Sequence, residues 1–208
     1  MKFSFAALVF GASCAIASKL PRHPHSSQFG PLVERNLAER QVAGACFVVG
    51  KTALPKEVSD AAASIGPKVT CNAAVKTLNG VPDVTEGTTS FSKINFANSN
   101  LSPLAFALET FKTATPLAST DLKKFQAEVD VYTATEAGIR SVGGNFATIK
   151  IPKFFLAMQI SRIQTAQGNP PKNAAQDIDH LRDKVLKNAP RESKALLDQV
   201  RELATIRA

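Results

Sequence analysis

From Ser102 onward, apolar residues recur every three or four positions, in runs that end at proline or glycine. This spacing places the apolar side chains on one side of a helix and ends the helix where those residues stand. Helices are therefore predicted at 102–114, between Thr120 and Gly143, at 152–167, around 174–185 and around 196–203. Ser119 or Thr120 is expected to cap the second of these, with Asp121 in its first turn. The helix at 152–167 carries apolar residues around most of its circumference and should be the central one.

The preceding part of the chain is less regular. Apolar spacing predicts a first helix at 55–65, and residues 67–78 give a mixed pattern that allows a short helix carrying Cys71. Residues 80–101 are rich in Gly, Thr, Ser and Asn, and they predict a long, partly packed loop with a short extended stretch at 88–96. The predicted fold class is all-α, a bundle of five or six helices with one long loop and one disulfide.

Two processing signals are predicted before residue 41. Residues 1–17 combine a basic start, an apolar run and small residues before a cut after Ala17, which is typical of a secretory signal peptide. Residues 18–40 hold three prolines and no periodicity long enough to pack, so they are predicted to be a pro-segment cut after Arg40 or a retained disordered tail. The mature chain, 41–208, is expected to form one helical domain that is secreted.

Cysteine usage agrees with export. Of three cysteines, Cys14 lies in the predicted signal, which leaves Cys46 and Cys71 as an even pair. In an oxidising compartment such a pair predicts a disulfide. Two thiols and one histidine after residue 40 make a metal site improbable, and no cofactor is expected.

The net charge is unevenly distributed. The whole chain has a formal charge of +8, and residues 41–149 carry nine charges of each sign, whereas residues 150–208 carry eleven basic and six acidic residues. This excess is too mild for a nucleic-acid-binding composition. After Ser18 there is no run of apolar residues long enough to span a membrane. Neither nucleic acid nor membrane is expected as a partner.

No catalytic residue is predicted. The run 50–52 (GKT) imitates the end of a phosphate-binding loop, but Ala45 stands where that motif requires glycine. A histidine-dependent hydrolase would have to use His180, which lies on a polar helix face. Asp179 and Asp183 share a helix face as paired glycosidase carboxylates could, but neighbouring Arg182 and Lys184 favour local ion pairing instead.

A basic stripe is the strongest candidate for a binding surface. His180, Lys184, Lys187 and Arg191 follow helical spacing opposite the apolar side of their helix, and Arg182 and Lys194 add charge nearby. The stripe predicts docking to an acidic partner, or a basic patch used in entry into another cell; the alternative is a solvated helix face. No aromatic residue interleaves with it in the sequence, which argues against single-stranded nucleic acid.

Two weaker features remain open. Asn100 begins a glycosylation sequon, but Pro103 follows the sequon and makes its occupancy doubtful. The phenylalanines of 152–167 could line a lipid cavity or form ordinary core.

Several segments of the chain resemble one group of small secreted proteins from filamentous ascomycete fungi. The resemblance is carried by 46–50 (CFVVG), 52–55 (TALP), 151–159 (IPKFFLAMQ), 161–171 (SRIQTAQGNPP) and 179–186 (DHLRDKVL), and it extends over nearly all of 46–206. It implies a candidate effector, secreted to alter a host, and brings no catalytic residues. The expected function is thus a non-enzymatic, secreted, effector-like protein that binds a host extracellular defence protein and promotes virulence. The alternative is a structural, cell-wall-associated or apolar-ligand-carrying secreted protein.

Overall fold

A computed structural model describes residues 44–207, so the predicted cuts after Ala17 and Arg40 lie outside the described residues. The described part is mainly helical, 59% of it, with six α-helices and a small three-stranded sheet. The helices are α1 (Lys56–Ile65), α2 (Pro103–Thr110), α3 (Leu122–Ser141), α4 (Lys150–Ala166), α5 (Ile178–Asn188) and α6 (Lys194–Thr205). None of these helices is long and apolar enough to cross a bilayer.

The sheet corrects the all-α prediction. The sheet has three antiparallel strands, and their order in the sheet is the same as in the chain. They are β1 (Thr70–Lys76), β2 (Pro82–Glu86) and β3 (Thr89–Ser90). Cys71, which the mixed pattern had allowed on a short helix, lies on β1 opposite Val84 of β2. The segment forms a strand because its backbone pairs with β2. Strand β1 is largely exposed, so the spacing of its apolar residues does not reveal this pairing.

The predicted loop at 80–101 is also structured. It contains β2, β3 and the short 3-10 helices Phe91–Ile94 and Phe96–Asn98. Buried Asp83 holds the segment together, because its carboxylate accepts hydrogen bonds from the backbone N–H of Ser92 at 2.8 Å and from the Ser92 hydroxyl at 2.6 Å. Local hydrogen bonds between side chain and backbone therefore order this segment, although it has no apolar periodicity.

The structure contains the predicted helices, but the N-cap residue of one helix differs from the prediction. Ser102 caps α2 by accepting from the backbone N–H of Ala105 at 3.3 Å. The cap of α3 is Asp121, whose carboxylate accepts from the backbone N–H groups of Lys123 and Lys124. Asp121 thus lies at the cap position rather than in the first turn, and the prediction of Ser119 or Thr120 is wrong.

Helix α4 is central, as predicted, and contacts α2, α3 and α5. Its Phe155, Leu156, Met158 and Ile163 are fully buried, so these residues form ordinary core. Tyr132 of α3 completes this core: Phe91 and Phe111 pack edge-on against its ring, at centroid distances of 5.1 and 5.9 Å. The buried Tyr132 hydroxyl donates to the carbonyl oxygen of Ile94 at 2.6 Å, which satisfies its polar group.

Candidate functional site

The predicted disulfide is present. Cys46 and Cys71 are joined with a Cα–Cα distance of 5.8 Å, and the bond attaches the segment before α1 to strand β1. Residues 44–207 contain no cluster of three or more His, Cys, Asp or Glu side chains that could hold a metal ion.

The GKT run at 50–52 is explained by packing. Gly50 lies against the C-terminal end of α3, where its N–H donates to the Ser141 hydroxyl at 3.0 Å. A Cβ at this position would lie 2.0 Å from the backbone oxygen of Ser141, closer than any real contact. Glycine at this position therefore allows the close approach of two backbones.

The residues of the predicted basic stripe divide into two groups. Arg182 forms ion pairs with Asp179 at 2.7 Å and Asp183 at 2.8 Å, and Lys194 pairs with Asp198. The other four residues, His180, Lys184, Lys187 and Arg191, are exposed and form no ion pair with any residue of 44–207. We call these four the basic face.

The carboxylates near the basic face are occupied by local contacts. Asp179 also pairs with Arg207 at 2.8 Å, so both Asp179 and Asp183 serve ion pairing. Glu192 accepts from the Ser102 hydroxyl at 2.6 Å and from the backbone N–H of Leu104 at 3.1 Å, at the N-terminus of α2. None of these acids is left to neutralise the basic face.

Two phenylalanine rings outside the core lie beside four cations. The guanidinium carbon of Arg140 is 3.5 Å from the centroid of Phe146, and the Nζ of Lys184 is 5.2 Å from that of Phe154. Lys150 and Lys153 approach the same two rings, and Glu136 pairs with Arg140 and Lys153. The cation–aromatic cluster comprises Arg140, Phe146, Lys150, Lys153, Phe154 and Lys184.

The fold adds an aromatic residue to the stripe that the sequence does not show. Aromatic residues are absent from the basic stripe along the chain, but the fold places Phe154 of α4 next to Lys184 of α5. Lys184 belongs to both sets, so the basic face and the cation–aromatic cluster are continuous.

A cavity of about 660 Å³ lies between the ends of α2, α4 and α6. Arg162 of α4 lines it and is only 1% exposed. Its Nε donates to the carbonyl oxygen of Ile206 at 3.0 Å, and its Nη1 donates to the side-chain oxygen of Gln159. Burial lowers the pKa of the Arg162 guanidinium from its ordinary value, although an arginine remains protonated in proteins. No carboxylate of residues 44–207 pairs with it.

A second cavity, of about 650 Å³, is lined by α3 and another side of α4. Lys68 lines it and pairs with Asp130 at 2.8 Å, which raises the pKa of the lysine. Burial, together with the negative charge of Asp130, raises the pKa of the nearby Glu86 carboxyl. Buried Ser161 also lines this cavity, and its hydroxyl has no partner among the described residues. Lys68 and Asp130 satisfy one another, whereas one carboxyl oxygen of Glu86 has no hydrogen-bond partner among residues 44–207, so this polar network is only partly satisfied.

Comparison with known proteins gives one match. A family model described as a domain of unknown function (DUF7143) matches residues 48–208. The chain belongs to this family. No curated protein and no solved structure matches it.

In this DUF7143 chain, sequence reasoning missed both the cavity at Arg162 and the cation–aromatic cluster. A signal for the first was visible, since Gln159 and Arg162 lie three residues apart on the central helix, whose apolar residues surround most of its circumference. The cluster had no such signal, because its residues come from α3, the following loop, α4 and α5. Asn100, of the doubtful sequon, is exposed.

Proposed function

We propose that this protein is secreted and non-enzymatic, and that it binds an acidic protein through the basic face. The supporting observation is that Lys184, Lys187 and Arg191 are exposed and form no ion pair within 44–207, while nearby acids serve internal contacts. A surface of uncompensated cations attracts an acidic partner and accelerates its association.

The neighbouring aromatic rings add a contact that charge alone would not supply. Phe146 and Phe154 are half-buried, so each ring keeps an exposed portion beside its cations. Aromatic and arginine side chains contribute disproportionately to binding energy at protein interfaces. The proposed interface therefore extends from the basic face over the cation–aromatic cluster.

The resemblance to secreted fungal proteins supplies the proposed context. The partner is then an extracellular, defence-related protein of a host, and binding to it promotes virulence. The same basic surface would also serve entry into host cells.

Capture from host extracellular fluid tests the proposal. The full-length chain should retain an acidic protein at low salt and release it as ionic strength rises. The triple variant Lys184→Glu, Lys187→Glu and Arg191→Glu should lose this protein. A matched triple variant, Lys51→Glu, Lys76→Glu and Lys93→Glu, makes the same change in net charge at exposed lysines elsewhere and should retain it. Equal capture by both variants, or no captured acidic protein, would refute the proposal.

A second candidate function is carriage of an apolar ligand, and the cavity at Arg162 favours it. Leu108, Leu117 and Leu203 supply apolar walls. Native mass spectrometry of the protein from its natural source should then detect a bound small molecule. A structural, wall-associated role predicts tight binding to chitin instead, which a pull-down on chitin beads would measure.

A further inference from the structure

The cavity between α2, α4 and α6 contains a buried cation that has no counter-charge among residues 44–207. Arg162 is 1% exposed, and no carboxylate of residues 44–207 forms an ion pair with it. A buried charge is costly unless it is paired and hydrogen-bonded. Within residues 44–207 the site is therefore electrostatically incomplete.

A structural role explains part of this arrangement. Gln159 donates to the carbonyl oxygen of Phe111 at 3.0 Å, and Arg162 donates to that of Ile206 at 3.0 Å. These two side chains thus satisfy carbonyl groups at the C-terminal ends of α2 and α6, where a cation is also favoured by the helix dipole.

That role does not use the whole guanidinium. Arginine has five N–H donors, and the described contacts engage one on Nε and one on Nη1. The Nη2 group has no acceptor in residues 44–207, although Arg162 lines the cavity. The unused donors have the fork geometry that binds a carboxylate or a similar planar anion.

The walls of the cavity define the rest of the ligand. Leu108, Leu117 and Leu203 are apolar, and Lys112 adds a second, exposed cation. Glu202 is the one acidic residue of the lining, and it is exposed and forms no ion pair with Arg162. A volume of about 660 Å³ is within the range of ordinary small-molecule sites.

We propose that this cavity binds an amphiphilic organic acid, with its carboxylate on Arg162 and its apolar part against the leucines. The site is separate from the basic face, so it does not depend on binding of an acidic protein. The proposal rests on the second candidate function, carriage of an apolar ligand, and names the chemical class of that ligand.

Binding of decanoate to the full-length chain tests this assignment, with decanol as the neutral analogue. Isothermal titration calorimetry should show one site that binds decanoate at least tenfold more tightly than decanol. The NMR signal of the Arg162 Nε–H should shift on titration with decanoate, which reports contact at the guanidinium itself.

Variants of exposed lining residues keep the test independent of folding. Gln199→Trp on α6 should block the cavity and abolish decanoate binding, whereas Ala195→Trp, on the same helix but outside the lining, should not. Lys112→Glu should weaken binding, and Glu202→Gln should strengthen it. Arg162→Met should remove the preference for decanoate over decanol, provided that its circular dichroism spectrum remains native.

Three outcomes would overturn the proposal. They are no binding of decanoate, equal affinity for decanoate and decanol, and decanoate binding that is insensitive to Gln199→Trp. Loss of partner capture by the basic-face variant, with decanoate binding unchanged, would show that the two sites are separate.

Discussion

The backbone oxygen of Phe47 lies directly against Gly138, on the buried side of α3 near its C-terminal end. A Cβ at Gly138 would be 2.6 Å from that oxygen and 2.7 Å from a methyl carbon of Val81. The segment that carries the disulfide can reach the core because this position of α3 has no side chain.

Gly138→Ala should therefore destabilise the protein, although alanine is the better helix former by about 1 kcal/mol. Overpacking of this kind costs about 1–3 kcal/mol, and backbone atoms cannot rotate away as a side chain can. Urea denaturation measures the change. Thr133→Ala on the same helix is the control for propensity, and a Gly138→Ala protein as stable as the native one would contradict the packing described.

Glu128 should make stability depend on pH. The residue is 4% exposed, one of its carboxyl oxygens has no partner among the described residues, and burial raises its pKa to about 7. The Nζ of Lys124, 3.8 Å away, opposes this shift only in part. Between the ordinary pKa of 4.5 and about 7, the unfolded chain ionises while the folded protein keeps its proton. Stability should thus fall as pH rises, by up to about 3 kcal/mol.

Glu128→Gln removes this titration. The variant should match the native protein at about pH 4 and exceed its free energy of unfolding by about 1–3 kcal/mol at about pH 8. Urea denaturation across this range measures the difference. Exposed Glu109→Gln should show no such pH-dependent gain, and parallel pH profiles for native protein and Glu128→Gln would exclude the assignment.

Removal of the disulfide should lower stability substantially. Cys46 and Cys71 are 25 residues apart, and closing a loop of this length contributes about 3–4 kcal/mol in the chain-entropy model. The double variant Cys46→Ser and Cys71→Ser should lose this amount in urea denaturation. A reductant should lower the stability of the native protein and leave that of the double variant unchanged.

The hydrogen bonds from Ser92 to Asp83 should contribute to the stability of the segment between β2 and α2. Asp83→Ala leaves the N–H and hydroxyl of Ser92 without their acceptor, which should cost about 2 kcal/mol. Hydrogen exchange at the Ser92 amide should accelerate in the variant. Thr88→Ala, at an exposed position nearby, should leave that rate unchanged; if it has the same effect, the carboxylate is not what orders the segment.

The helices could be predicted because their evidence is local. Leu122, Phe125 and Val129 are three or four residues apart on one chain segment, and proline and glycine mark the breaks between helices. The basic face was visible for the same reason, since Lys184, Lys187 and Arg191 follow one another at helical spacing.

The sheet and the cavity could not be predicted in this way. Strand β1 is mostly exposed and carries no alternating apolar pattern, so only its pairing with β2 defines it. The environment of Arg162 depends on Phe111 and Ile206, which are far from it in sequence. An arginine in an apolar helix indicates that hydrogen-bond acceptors stabilise its guanidinium, but only the folded structure shows which groups accept.

The hydrogen bond from Arg162 to Ile206 also affects how the protein would be degraded. A carboxypeptidase that trimmed the chain past Ile206 would remove an acceptor from a guanidinium in the protein interior. A chain shortened past Ile206 should therefore be less stable than the intact one, because the Nε of Arg162 loses its acceptor.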